Sequence, residues 1–119
     1  MANTLENKQR EICTRFGATF YKCDCNLKVG ISRNVKDGVK PINGLRIKPD
    51  GDTNGWYIWA GEWSDADDFF VPLHGNHLEE WVPLVLPYLG LEPGWRFLID
   101  ENYEDVWQDI ELLKRYQTG

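Results

Sequence analysis

Two segments of similar form constrain the fold of this 119-residue chain more than any other feature. An Asn-Gly dipeptide precedes residues 56–63, and a Pro-Gly dipeptide precedes residues 95–99. Such dipeptides favour tight turns, and the aromatic and β-branched residues that follow them favour a half-buried pleated surface. Both runs lead into acidic residues. The pattern predicts two Gly-Trp strands of one sheet, with acidic loops leaving them.

The N-terminal segment has the pattern of one amphipathic helix. Asn3 or Thr4 can cap its start, and Gly17 can end it. Apolar residues recur at helical spacing between these two signals. We therefore predict a helix over about residues 4–16.

The next segments are predicted to be mainly extended. Residues 27–31 alternate between apolar and polar or small side chains, and residues 42–47 offer another short strand. Residues 18–23 fit either a strand or a loose connector. The acidic run 64–68 is predicted to be a loop, after which residues 69–73 pack back onto the sheet.

Helical spacing returns in the second half of the chain. Apolar residues recur in this way over residues 78–89, where Pro83 and Pro87 limit the segment to short or kinked helical turns. Asn76 is a candidate cap for it. Residues 105–116 are predicted to form a closing helix. Together the elements predict an α+β fold, with a mostly antiparallel or mixed sheet and helical segments packed largely on one face.

The length and composition fit a single domain of residues 1–119. The chain is 42% hydrophobic and 13% aromatic, which argues against disorder. It contains no apolar run of the roughly 20 residues that a membrane helix needs, and the N-terminus has no apolar signal-peptide core. We therefore expect a soluble, cytoplasmic protein that does not act at a membrane.

The net charge of −6 is divided unevenly along the chain. Residues 1–50 contain ten basic and five acidic residues, a charge of +5, whereas residues 51–119 contain three and fourteen, a charge of −11. An acidic second half argues against nucleic-acid binding there and favours a basic protein partner.

Three cysteines, Cys13, Cys23 and Cys25, cannot all pair within one chain. Their spacing lacks the usual Cys-x-x-Cys metal or redox pattern, and no second cluster completes a zinc site. Cys13 lies on the apolar stripe of the first helix, which favours a place in the core. The spacing therefore favours reduced thiols.

No pattern of catalytic residues emerges. His74 and His77 stand near Glu79 and Glu80, but a glycine between the histidines favours a solvated loop over a metal site. The acidic runs lack the spacing of a calcium loop, and there is no nucleophile motif or phosphate-binding loop. The chain is therefore predicted to be neither an enzyme nor a cofactor protein.

Six tryptophans leave two alternatives open: most build the core, or some line a binding surface. Trp59 and Trp63 are separated by an even number of positions, so they can share one face of a strand while Trp56 does not. A bulge at Gly61 would change that parity.

The motifs resemble a bacterial family of polymorphic-toxin immunity proteins, a former domain of unknown function catalogued as immunity protein thirty-three. The resemblance covers about residues 28–109. It rests on the Gly-Trp-x-x-x-x-Gly-Glu pattern of residues 55–62 and the Gly-Trp-x-Phe…Glu-Asp-Val-Trp ending of residues 94–107. It implies a protein that binds and neutralises a cognate toxin, with no catalytic residues. The chain departs from the family pattern at residues 45–48 and at Tyr57, so its partner need not be that of other members.

The acidic and aromatic second half is the predicted binding region for a basic toxin surface. Charge would speed association, and buried aromatic side chains would slow dissociation. The predicted toxin-binding residues are Glu62, Trp63, Asp65, Asp67, Asp68, Asp100, Glu101, Tyr103, Glu104 and Asp105. The alternative is a housekeeping ligand- or carbohydrate-binding module that uses exposed tryptophans.

Overall fold

The computed structural model describes residues 4–115. Its first helix, α1, spans Leu5–Phe16. The Thr4 side chain accepts a hydrogen bond from a backbone N–H of the first turn, and Gly17 ends the helix in the left-handed conformation. This confirms one of the two predicted caps; the alternative, Asn3, lies outside the described residues.

Six strands form one mixed sheet: β1 (Lys28–Ile31), β2 (Ile42–Arg46), β3 (Thr53–Ala60), β4 (Val71–His74), β5 (Trp95–Asp100) and β6 (Tyr103–Gln108). Their order in the sheet is β4-β1-β3-β2-β5-β6. Strands β1 and β3 are parallel, and every other neighbouring pair is antiparallel. The two Gly-Trp strands, β3 and β5, lie on either side of β2 and are not neighbours of each other. The predicted α+β fold with a mixed sheet is confirmed.

Side chains alternate between the two faces of this sheet. On β3, Trp56 and Ile58 point to one face, whereas Tyr57 and Trp59 point to the other. Residues that pair across neighbouring strands point to the same face, so the alternation extends across the sheet. Ile42 of β2, for example, pairs with both Ala60 of β3 and Ile99 of β5. The two faces therefore have separate sets of side chains.

The main core lies on what we call the helix-covered face. Helix α1 covers it together with a short helix, α2 (Leu78–Trp81), and a 3-10 segment, Pro83–Tyr88. Trp56 is 1% exposed there and packs against Phe97 at 5.5 Å between ring centroids. The two prolines restrict this region to short helical turns, as the sequence predicts.

Arg46 lies within this core and is 1% exposed. Its guanidinium donates hydrogen bonds to five main-chain carbonyl oxygens, those of Tyr21, Lys22, Asn54, Leu89 and Leu91. Because these carbonyls belong to three separate segments, the side chain ties the connector after α1 to β3 and to the end of the 3-10 segment. Buried polar groups are tolerated when they are hydrogen-bonded in this way.

The C-terminal segment corrects the sequence prediction. Residues 105–108 belong to strand β6 and not to a helix, and helix α3 is shorter, Glu111–Arg115; residue 116 lies outside the described residues. Every residue of β6 pairs with β5. Trp107 fits the helical spacing that continues to Ile110 and Leu113, but its pairing with β5 makes it a strand residue. Strand β6 also means that Tyr103 and Glu104 are strand residues and not loop residues.

Three smaller features complete the comparison with the sequence predictions: the connector after α1, the cap of α2 and the return of the chain after the acidic run. Residues 18–23 form a connector with one isolated bridge, Phe20 to Leu91. Asn76 is not the cap of α2, because its side-chain amide donates to Asn26 instead. The return of the chain after the acidic run is confirmed, since it forms β4 at the sheet edge.

Within residues 4–115, no helix is long and apolar enough to cross a membrane.

Candidate functional site

The second face of the sheet carries a cluster that we call the aromatic face. Tyr57 and Trp59 of β3, Leu45 of β2, Arg96 of β5 and Trp107 of β6 contribute to it from the strands. These residues occupy alternate positions, which is why they share a face. The arrangement places aromatic side chains on either side of a single guanidinium.

The loop after β3 folds back over this face. Three of its rings join the cluster: Trp63, Phe69 and Phe70, with Trp63 lying 5.0 Å from Trp59 in an edge-on arrangement. This confirms that Trp59 and Trp63 share a face from which Trp56 is absent. Strand β3 ends at Ala60, before Gly61, so the glycine is not a bulge within the strand.

Trp63 is the most exposed tryptophan of the cluster, at 49%. Its indole N–H donates to a carboxylate oxygen of Asp65 at 2.9 Å. The two residues form the boundary between two cavities on the aromatic face. One, of about 270 Å³, is lined by Leu45, Tyr57, Trp63, Ser64, Asp65, Ala66 and Phe70. The other, of about 320 Å³, is lined by Leu45, Trp59, Trp63, Asp65, Arg96, Asp109, Glu111 and Leu112.

Arg96 forms part of the second cavity. Its guanidinium carbon lies 5.9 Å from the Trp59 ring centroid and 5.4 Å from that of Trp107. One terminal nitrogen contacts Asp109 at 3.4 Å, while the buried Nε has no hydrogen-bond partner. Leu112 of α3 packs at the side of this cavity. Helix α3 therefore lies on the aromatic face, although the other helical segments lie on the opposite one.

The two acidic segments come together at one end of the sheet. Strands β3 and β5 are both antiparallel to β2, so they run in the same direction and end side by side. Ile42 of β2 lies between their last residues, opposite Ala60 and Ile99. The structure thus brings the loop that holds residues 62–68 close to the turn that holds residues 100–103.

Most of the predicted site residues of the second acidic segment, residues 100–105, lie at this end of the sheet or on the aromatic face. Tyr103, which is 56% exposed, pairs with Asp100, and Asp105 alternates with Tyr103 toward the same face. Glu101 lies at the tip of the turn and contacts Lys40 at 3.7 Å. A basic side chain from the first half of the chain therefore stands beside the acidic turn.

Glu104 is the exception, because it points to the helix-covered face. It accepts hydrogen bonds from the Tyr88 hydroxyl and from Arg15, the latter at 2.6 Å. Burial raises the pKa of the Glu104 carboxyl, but the two hydrogen bonds and the Arg15 charge outweigh it, so the pKa lies below its usual value. Glu104 is thus held by internal partners, apart from the other predicted residues.

Sequence reasoning missed several residues of this surface. Tyr57 and Arg96 were not among the predicted site residues, and neither were Phe70, Asp109 and Glu111. Strand alternation from Trp59 signals Tyr57, which is two positions away on β3. No sequence signal places Arg96 or the residues of α3 beside the loop, because that contact depends on the strand order.

The histidine pair does not form part of a metal centre in the described structure. The rings of His74 and His77 lie 6.4 Å apart. Among residues 4–115, no three His, Cys, Asp or Glu side chains are grouped so that they could hold a metal ion.

A mixed-sheet α+β domain with an exposed aromatic face beside acidic turns has the features of a protein-binding module. The model of the Imm33-like domain matches residues 8–109, and the chain belongs to this family of immunity protein 33-like domains. The family match begins at residue 8, within α1, whereas the resemblance based on the motifs began at about residue 28. No curated protein and no solved structure matches the chain. Family membership indicates an immunity protein rather than an enzyme.

Proposed function

We propose that this protein binds a cognate bacterial toxin with its aromatic face and the adjacent acidic segments, and so neutralises the toxin. The observation that carries the proposal is the position of Trp63. Its ring is half exposed, is fixed by a hydrogen bond to Asp65, and forms a wall of both cavities. A large ring that is already held in place loses little conformational entropy on binding, and tryptophan is enriched among binding hot spots.

Charge at this end of the molecule favours a basic partner. The acidic residues that are exposed here are Glu62, Asp65, Asp67, Asp68, Asp100, Glu101 and Asp105. Exposed charges of one sign accelerate the association of an oppositely charged protein more than they tighten the final complex. The acidic segments would therefore set the association rate, and Trp63 the dissociation rate.

The smaller cavity gives the proposed contact a definite chemistry. Trp63, Tyr57 and Phe70 supply aromatic walls, and Asp65 supplies the carboxylate of the lining. A lysine or arginine of the toxin can pack its aliphatic stem against such rings while its charged end reaches a carboxylate. We expect a basic side chain of the toxin to enter this cavity.

The test measures binding of the toxin encoded beside this gene, by calorimetry and by association and dissociation rates. Trp63→Ala should weaken binding by about 30-fold or more, mainly through faster dissociation, as loss of a 2 kcal/mol hot spot would. The matched control is Leu84→Ala. Leu84 is 46% exposed on the 3-10 segment, away from the aromatic face.

Four outcomes separate the possibilities. A loss of affinity for Trp63→Ala but not for Leu84→Ala supports the aromatic face as the toxin-binding surface. An equal loss for Leu84→Ala assigns binding to another surface, and no binding of the wild type at micromolar concentration contradicts the proposed function. A change in tryptophan fluorescence on adding a soluble sugar, without toxin binding, would instead favour the ligand-binding alternative.

A further inference from the structure

The two edges of the sheet differ in whether a further strand can pair with them. Strand β4 forms one edge and β6 forms the other. Next to β4, the Gly75 N–H donates to the Leu27 carbonyl. Because hydrogen-bonded pairs alternate along an antiparallel ladder, Pro72 of β4 faces away from its partner strand. A proline at an outward position removes a donor, and it protects that edge from an added strand.

Strand β6 lacks this protection. It pairs with β5 along all six of its residues, and it contains no proline. Just beyond the paired residues, the Asp109 N–H donates to the Gly94 carbonyl. The same alternation then turns the backbone N–H and C=O groups of Glu104, Val106 and Gln108 away from β5.

These outward groups are unpaired in the part of the chain that the structure describes. Among residues 4–115, no strand lies outside β6, and no hydrogen bond involves the backbone of Glu104, Val106 or Gln108. The Glu104 side chain is 29% exposed, less than the residue as a whole, so its backbone is open to solvent. A row of unpaired backbone donors and acceptors at a sheet edge is a template for another strand.

The edge is also held in place before any partner arrives. Val106 points into the core and is buried against it. Glu104 is fixed from the same face by the Tyr88 hydroxyl and by Arg15. An incoming strand therefore needs to order only its own backbone, which lowers the entropic cost of pairing.

Charge selects which strand can be added. The hairpin of residues 100–109 contains five acidic residues and no basic one. A second copy of β6 would bring five more acidic residues to the same edge, and like charges across paired strands are destabilising. A basic strand instead places a lysine or arginine beside the exposed Asp105, with its aliphatic stem along the half-buried Trp107.

From these observations, and resting on the proposed toxin binding, we infer that the toxin supplies a basic extended segment that pairs with the outer edge of β6. This segment adds a strand to the six-stranded sheet. The edge is continuous with the aromatic face, because Trp107 of β6 belongs to both. Strand β6 lies three strand spacings, about 14 Å, from β3, so one toxin surface of ordinary size reaches both Trp63 and the edge.

The first test compares two variants at Gln108, an exposed residue whose N–H faces outward. Gln108→Pro removes that donor and places a ring at the edge, but it breaks no hydrogen bond to β5. Gln108→Ala is the matched control, because it removes the side chain and keeps the donor. For the toxin encoded beside this gene, calorimetry should show binding about tenfold weaker for Gln108→Pro and less than about twofold weaker for Gln108→Ala. An unchanged thermal midpoint verifies that Gln108→Pro is folded.

The second test is residue-resolved hydrogen exchange of the wild type, with and without the toxin. In the free protein the amides of Asp105 and Trp107, which face β5, should exchange slowly, and those of Glu104 and Gln108 should exchange fast. Bound toxin should slow exchange at Glu104 and Gln108 by about tenfold or more, because their N–H groups then donate to the added strand.

The outcomes distinguish this inference from the proposed function. Toxin binding that leaves the Glu104 and Gln108 amides in fast exchange, with equal affinities for the two Gln108 variants, overturns the edge pairing and leaves the proposed function intact. No binding of the wild type overturns both. A wild-type dimer that Gln108→Pro converts to a monomer assigns the edge to a second copy and contradicts a toxin strand. If Gln108→Pro fails to fold, hydrogen exchange of the wild type still decides between these results.

Discussion

Each face of the sheet holds an arginine among aromatic rings, and the two arginines are held in opposite ways. Arg46 on the helix-covered face is buried, and its donors reach five carbonyl oxygens. Arg96 on the aromatic face lies between Trp59 and Trp107, with one contact to Asp109 and an unpaired Nε. The first arrangement satisfies its hydrogen-bonding capacity within the fold, whereas the second leaves the buried Nε without a hydrogen-bond partner.

The tryptophans repeat this contrast. Trp56 is enclosed, and its N–H donates to the Leu89 carbonyl, whereas Trp63 remains half exposed and donates to a carboxylate of its own loop. Similar residues are thus enclosed on one face and partly exposed on the other. Burial, rather than residue type or hydrogen bonding, separates the two tryptophans.

The largest expected difference comes from removing the two arginines. Arg46→Ala should lower the free energy of unfolding by about 3–5 kcal/mol, because it leaves buried carbonyls unpaired. Arg96→Ala should cost about 1 kcal/mol, since it removes only partly exposed ring and carboxylate contacts. Urea denaturation of both variants measures the difference. Equal losses would mean that both faces depend on their arginine for stability.

The glycines that precede the two tryptophans, Gly55 within β3 and Gly94 before β5, should differ as well. Gly55 and Gly94 have φ of +92° and +95°, so alanine is strained at both positions. A Cβ at Gly55 would also lie 2.0 Å from the backbone oxygen of Ile47, whereas a Cβ at Gly94 would meet the movable side chain of Leu113 at 3.1 Å. Gly55→Ala should destabilise by roughly 2–3 kcal/mol and Gly94→Ala by about 1 kcal/mol. Denaturation midpoints check the order, and a reversed order would contradict the clash at Gly55.

The Glu104 contacts should make part of the stability of the helix-covered face depend on pH. The pKa of Glu104 is lowered in the folded state, so its contribution is fully present above the unfolded pKa of about 4.3 and is lost as the pH falls through the folded-state pKa. Glu104→Gln should therefore be less stable than the wild type at pH 7, and the two should converge once the pH is below the folded-state pKa.

The matched control for that prediction is Glu101→Gln. The Glu101 side chain is 76% exposed at the turn, and its contact with Lys40 is long. It should change thermal midpoints little at either pH. A pH-dependent difference as large as that of Glu104→Gln would argue against a special role for the Tyr88 and Arg15 contacts of Glu104.

The smallest expected effect on stability comes from the acidic loop. Changing Asp65, Asp67 and Asp68 together to Asn should alter the free energy of unfolding by no more than about 0.5 kcal/mol, since all three are exposed. The change should slow toxin association and flatten its dependence on salt, because salt screens exposed charges over about 8 Å at physiological ionic strength. Glu79→Gln with Glu80→Gln on α2 is the charge control. If the association rate is unchanged across a salt series, the acidic loop is only a solvated segment and does not accelerate toxin association.

Local signals in the sequence determined much of the fold. A capping threonine, helical spacing and a glycine define α1, and a Pro-Gly turn with the aromatic run after it defines β5. The aromatic run also predicted β3, but that strand spans Thr53–Ala60, so Asn54 and Gly55 lie within it and not in a turn before it. The prolines at positions 83 and 87 predicted short helical turns. These features depend on interactions between residues close in the chain, so they can be identified without the tertiary structure. The family motifs are also carried by the sequence alone.

The tertiary structure alone decided which segments meet. Strand β6 exists because β5 supplies its partners, and helical spacing in the sequence did not reveal that. Arg15, Tyr88 and Glu104 are far apart in the chain and meet only through α1, the 3-10 segment and β6. Arg96 joins Trp59 because β2 lies between β3 and β5. Strand order and register depend on packing over the whole sheet, which no short stretch of sequence specifies.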